Sequence, residues 1–170
     1  VLSRNPREHC PVITEVLTGE VVDMNIKDAN NMGAAMAPAA AKLIESYFRE
    51  TGRDADYFDV IATGDLGHVG RELTVELLDK AGYHLDSRYT DCGIEIFDKE
   101  AQDTHSGGSG CACSALVFTS KFYKMLTEGK IKRMLFMPTG ALMSTTTSQQ
   151  GESIPSIAHG IVIESGCENG

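Results

Sequence analysis

The sequence predicts an α/β fold, a mixed β-sheet with helices on both faces. Three observations predict it. Runs rich in β-branched residues alternate with runs of helical period, in the order β-α-β-α-(β)-α-β-β. Glycine-rich stretches stand at two strand-to-helix junctions, residues 64–70 and 103–115. The chain has 17 glycines, no tryptophan and few aromatic residues, which points to close packing of elements rather than a core of large rings.

Residues 12–26 are rich in Val, Ile and Thr around Gly19, the pattern of a long bent or bulged strand or of a hairpin turning near Thr18 and Gly19. Asp28, Asn30 and Asn31 are turn and N-cap types. A helix over 33–50 follows, with Leu43, Ile44, Tyr47 and Phe48 on its core face and Pro38 tolerable only near its start or at a kink. Residues 58–63 form a short buried strand, and residues 71–81 a helix with Leu73, Leu77 and Leu78 on one face, stopped by Gly82. Residues 83–99 are less regular, with a strand near 91–92 or 94–97. A helix over 111–128 buries Ala115, Phe118, Phe122 and Met125, and Gly129 ends it. Residues 133–137 are a strand, 139–155 a long polar loop, and 157–164 the closing strand. No repeat or linker divides residues 1–170, which read as one domain.

Composition excludes several classes. A formal charge of −9 and the lack of a basic patch beyond Lys130, Lys132 and Arg133 argue against a nucleic-acid partner. No apolar run reaches the ~20 residues of a membrane span. Five cysteines without framework or zinc spacing read as reduced thiols of an intracellular protein, with no metal and no cofactor expected. The start at Val1, inside a strand-like stretch, suggests a piece of a longer chain.

The stretch D-T-H-S-G-G-S-G-C-A-C-S-A, residues 103–115, holds the most chemistry. Glycines let backbone N–H groups approach a ligand, and first-turn helix N–H groups lack partners, so an anion cradle is one reading. A tight turn that lets two elements pack is the other. Neither phosphate-binding glycine motif is present. The candidate ligand-binding residues are Asp65 in the first junction and His105, Ser106, Gly107, Gly108, Ser109, Gly110 and Cys111 in the second. Asp65 would bind calcium or a protonated nitrogen, or else cap the next helix. His105 would meet a carboxylate or bond the backbone; Cys111 is a low-pKa thiol at a helix start or a small buried one. His68 and His84 read as surface residues and His159 as a core or interface histidine.

Particular words narrow the field. D-A-N-N-M-G-A-A-M-A-P-A-A-A, T-G-D-L-G-H-V-G-R-E-L, D-C-G-I-E-I-F-D and H-S-G-G-S-G-C-A-C-S-A resemble the stage V sporulation protein AD family of the thiolase-like superfamily. P-T-G-A-L-M-S and G-E-S-I-P-S-I-A-H near the end do so too. The words cover nearly the whole chain and match the second half of that family's sequence.

The resemblance implies half of a five-layered α-β-α-β-α fold. It implies a non-catalytic sporulation protein that binds dipicolinic acid, or its calcium chelate, for uptake into the developing spore. Its partners would be other spore membrane transport proteins, at the cytoplasmic face or periphery of the spore inner membrane. Condensing enzymes of the superfamily draw a His and an Asn, or two His, from this half. On these words Gly64 or Asp65 stands in place of the His and Ser109 in place of the Asn, which argues against condensation. The rivals are an acyl-thioester condensing or cleaving enzyme and a scaffold that docks membrane partners. In the parent fold residues 34–41 and 111–128 would face the other half, so the chain as given is expected to form a homodimer.

Overall fold

A computed structural model describes residues 2–5, 7–107 and 110–166. In chain order the elements are β1 (Val12–Leu17), α1 (Met32–Thr51), β2 (Val60–Thr63), α2 (Gly67–Lys80), β3 (Tyr89–Asp91) and α3 (Cys92–Ile96). Then come α4 (Cys113–Val117), a π-helical turn (Phe118–Phe122) and α5 (Tyr123–Thr127), which run on without a break. The chain closes with β4 (Arg133–Met137), β5 (Thr139–Ala141), α6 (Thr145–Gln149), β6 (Ser156–Ala158) and β7 (Gly160–Glu164).

Five strands form one mixed sheet in the order β1-β7-β4-β2-β3. β2 lies parallel to β3 and β4, while β7 runs antiparallel to β4 and β1. Side chains alternate between the two faces. Ile61, Leu135, Met137 and Val162 pack with α1 and α2, whereas Ala62, Met134, Phe136 and Ile163 pack with α4 and α5. The expected mixed sheet with helices on both faces is what the chain forms.

α1 starts where the Asn31 side chain accepts from the Ala34 N–H and ends at Gly52, whose φ is 69° and whose N–H bonds the Phe48 carbonyl. Leu43, Ile44, Tyr47 and Phe48 are buried as the periodicity requires. Fully burying side chains of this size contributes about 1.5–3 kcal/mol each. α1 crosses α2 at two glycines: a Cβ on Gly33 would lie 2.0 Å from the Leu66 carbonyl oxygen, and one on Gly70 would lie 2.8 Å from that of Gly33.

Several expectations need correction. β1 carries the expected bulge, between Ile13 and Glu15, but ends at Leu17, and the chain pairs again at Val22 with Ser156. α2 begins at Gly67, a turn early, and buries Thr74 and Leu78 while Leu77 is exposed. The strand after α2 is Tyr89–Asp91, and of the stretches offered as strand, 91–92 and 94–97, residues 92 and 94–96 are helix because Asp91 caps α3. The helix expected from 111 starts at Cys113 and buries Cys113, Val117, Phe122 and Leu126, with Ala115 exposed. The step of five from Val117 to Phe122 is the π turn, which resets the face. The polar stretch 139–155 holds β5 and α6, and the closing strand breaks at His159 into β6 and β7. The break matches one at Pro138, whose carbonyl accepts from His159 N–H at 3.3 Å, so β4–β5 and β6–β7 form one long bent hairpin. The alanines of α1 do not face outward: Ala35, Ala37, Ala39, Ala40 and Ala41 are buried within this chain.

Candidate functional site

The parallel strands β2, β3 and β4 end together, and open α/β sheets bind ligands beyond the carboxyl ends of such strands. Their loops meet there. Gly64 sits so close to β4's exit that a Cβ would lie 2.9 Å from Thr139 N. Asp65 Oδ1 accepts from Thr139 Oγ1 at 2.9 Å, which ties the loop after β2 to the start of β5.

At the centre is a residue that the sequence reading passed over. Asp91 is fully buried at the end of β3. Its Oδ2 accepts from Thr63 Oγ1 (2.7 Å) and Leu66 N–H (2.9 Å), and its Oδ1 from Gly67 N–H (2.8 Å) and Gly93 N–H (2.9 Å). A buried carboxylate persists only when its lone pairs are taken up by donors, as here. Tyr89 Oη reaches Thr63 Oγ1 at 3.1 Å, and burial raises that phenol's pKa, so it stays neutral. Asp91 also shows why Asp65 is not the cap of α2: the first N–H groups of that helix belong to Asp91. The available signal was an acid directly before a short helix, the N-cap pattern.

The second glycine loop leans on the first. Gly67 has φ 68° and Gly107 φ 140°, and a Cβ built on Gly107 would lie 2.5 Å from Gly67 Cα. Val69 N–H bonds the Ser106 carbonyl at 3.2 Å, and Ser106 Oγ donates to the Asn30 carbonyl at 3.2 Å. Gly107 is thus occupied in packing two loops together. Gly108 and Ser109 lie outside the described residues. Gly110 has open space where a Cβ would be, and its carbonyl accepts from Cys113 N–H at 2.8 Å.

The structure therefore gathers Asp65, Ser106 and Gly107 around the loop after β2. His105 is not with them: its side chain is 84% exposed, 3.2 Å from Asp103, on a backbone with φ 50°. Cys111 is exposed ahead of α4 rather than buried. His159 is not a core residue; it is exposed at the strand break, where Nδ1 accepts from Gly19 N–H at 3.2 Å. His84 is at the surface as expected, whereas His68 is half-buried, with Nε2 enclosed and without a partner among the described residues.

Two thiols near Asp65 and Asp91, those of Cys92 and Cys113, are shifted away from the reactive thiolate. Burial, with Asp65 and Asp91 adding to it, pushes Cys113 up to about 11. Burial and the charge of Asp91 raise Cys92 further still. A thiol reacts as its thiolate, and these stay protonated. Among the described residues no group of three His, Cys, Asp or Glu side chains could hold a metal ion. An open groove of about 330 Å³ is lined by β1, the residues after it and α1, and by none of these loops.

Comparison of structures gives the class. The fold matches AbyA1, a tetronic acid condensing enzyme, with a TM-score of 0.53 and 16% identity, over 96% of this chain and 50% of that one. The chain is thus a thiolase-like α/β unit whose strand ends carry an acid, Asp65, and two interlocked glycine loops. It belongs to the stage V sporulation protein AD family, whose model matches residues 1–164. Stage V sporulation protein AD of Bacillus subtilis (strain 168) is 47% identical over 152 residues, 89% of this chain and 45% of the relative. The chain spans about half the length of the relatives it matches.

Proposed function

We propose that this chain supplies half of a site for dipicolinic acid, or its calcium chelate, in a sporulation protein that has kept the thiolase-like fold without condensation chemistry. The observation that carries the reading is the mouth itself. On the sequence words Gly64 or Asp65, the latter held by Thr139, stands in the place of the condensing relatives' histidine. An ionised carboxylate accepts hydrogen bonds and cannot stabilise a developing oxyanion. Family membership over residues 1–164 supports the sporulation role. For a planar dicarboxylate the reading calls on backbone N–H groups of the second glycine loop other than that of Gly107, which already bonds the Thr104 carbonyl at 2.9 Å.

On this reading the protein works at the periphery of the spore inner membrane, beside other transport proteins of that membrane. No helix of the described residues is long and apolar enough to cross a membrane. Calorimetric titration of the full protein with dipicolinate, with and without calcium, is the test, alongside turnover of acetyl-CoA and acetoacetyl-CoA. Saturable binding without turnover is expected. Turnover at an ordinary enzymatic rate would establish the condensing or cleaving alternative, and absence of both would leave a docking scaffold.

A further inference from the structure

We propose that Asp91 is the positioning residue of the mouth: a built-in anion seated in the N-terminus of α2 that fixes the second glycine loop at Ser106 and Gly107. Its effect on a ligand rests on the binding reading above; its effect on the loop rests on geometry alone.

The N-terminus of a helix is an anion site, because its first N–H groups lack partners and the helix dipole favours negative charge there. In α2 that site is taken. Leu66 and Gly67 give their N–H groups to Asp91 at 2.9 and 2.8 Å. A carboxylate from outside cannot use these two N–H groups.

The same bonds set where the second loop lies. Gly67 is held by Asp91 on one side and touches Gly107 on the other, where a Cβ on Gly67 would fall 2.7 Å from Gly107 Cα. The contact has no slack, so a shift of Gly67 is passed directly to Gly107. The Val69–Ser106 backbone bond repeats the link one step further along α2. Through Gly93 the carboxylate also fixes the start of α3. One side chain thereby registers β2, β3, α2 and α3 at the mouth.

Asparagine has the shape of aspartate but one acceptor oxygen. Its NH₂ would face either Gly67 and Gly93 or Leu66 and Thr63, and at least one N–H donor would be left unmet. Losing a buried hydrogen-bond partner carries the full desolvation penalty, enough for about a tenfold change in a local equilibrium.

The experiment compares wild type, Asp91→Asn and Asp91→Ala in the full protein by hydrogen–deuterium exchange, circular dichroism and dipicolinate titration. Expected is a rise of about tenfold or more in exchange at residues 64–70, at the start of α3 around Gly93, and at residues 103–107 and 110–112, with α1 and β4 unchanged. Dipicolinate affinity should fall by a similar factor. Formate should partly restore both in Asp91→Ala by entering the vacated anion site. Unchanged exchange at 103–107 and 110–112 in a folded variant would overturn the proposal. So would a rise spread evenly over the chain, or failure of both variants to fold, since the carboxylate would then serve the fold as a whole. Wild type that binds no dipicolinate would sink the functional reading, and the exchange data would still decide the positioning.

Discussion

Cys111 is exposed ahead of α4, while Cys113, two residues on, is buried and its thiol is pushed up to about 11 by that burial, Asp65 and Asp91. Iodoacetamide at pH 8 should therefore alkylate Cys111 rapidly and leave Cys92 and Cys113 intact until the chain unfolds, as peptide mapping would show. Rapid labelling of Cys113 in folded protein would contradict its placement. A second residue-scale prediction concerns Glu15, whose Oε1 lies 2.5 Å from Arg53 and whose Oε2 accepts from Tyr47 at 3.0 Å. Burial works to raise its pKa, and the hydrogen bonds from Arg53 and Tyr47 outweigh it, leaving it below the ordinary 4.5. A depressed carboxylate adds stability above its unfolded pKa and loses it as pH falls through the folded one. The difference in melting temperature between wild type and Glu15→Gln should hold from pH 7 to about 4.5 and close below that. Residue identities such as the Leu43–Phe48 face were legible because burial follows periodicity. Asp91 was not, because nothing local distinguishes a buried acid with four donors from a surface one.

At the scale of elements, glycine words in the sequence mark close approaches without saying to what. Gly33, Gly67, Gly70 and Gly107 each bring backbone against backbone where loops and helices cross. Gly33→Ala would push a methyl into the Leu66 carbonyl and force α1 from α2. Over-packing of this kind costs about 1–3 kcal/mol. Gly107→Ala adds a strained φ of 140° to the same clash, and strain alone costs on the order of 1–3 kcal/mol. Urea unfolding should show both variants destabilised, with Gly52→Ala milder because it carries the strain of φ 69° without a clash. The helical periodicity of residues 111–128 misled for a definite reason. A π turn adds a residue per turn, so a face counted in threes and fours drifts off the true one at Phe118. No residue type in F-T-S-K-F announces such a turn.

For the whole molecule, the two faces of the sheet are covered unequally. α1 and α2 pack on one, while the α4–α5 helix with short α3 packs on the other. On that second side Leu116 is 56% and Tyr123 43% exposed, and Val16, paired with Ile161 on β7, is 75% exposed. Contiguous apolar patches on a protein surface are where partners dock, and these side chains are the candidates for one here. The chain as given should self-associate at micromolar concentration, most simply as a two-fold dimer through this face. Sedimentation of wild type against Leu116→Glu is the check: the variant should shift to monomer, and a wild-type monomer would refute the assignment. The fold class was legible from the order of strand-like and helical runs, since each run reports its own period. The division of the last strand was not, because a change of sheet at His159 leaves the alternation of side chains intact.

The bent hairpin has a consequence for how its sequence can drift in length. Pairing runs from Arg133↔Glu164 in the large sheet to Ala141↔Ser156 in the small one, and each paired couple sums to 297 on both sides of the bend. The bend thus consumes no residue from either arm. A single insertion or deletion in one arm would invert every later side chain, sending Met134 or Phe136 to the wrong face. Within the hairpin only the connection between Leu142 and Pro155 is free of that arithmetic, so descendants of this gene can grow or shrink there and not along the paired arms.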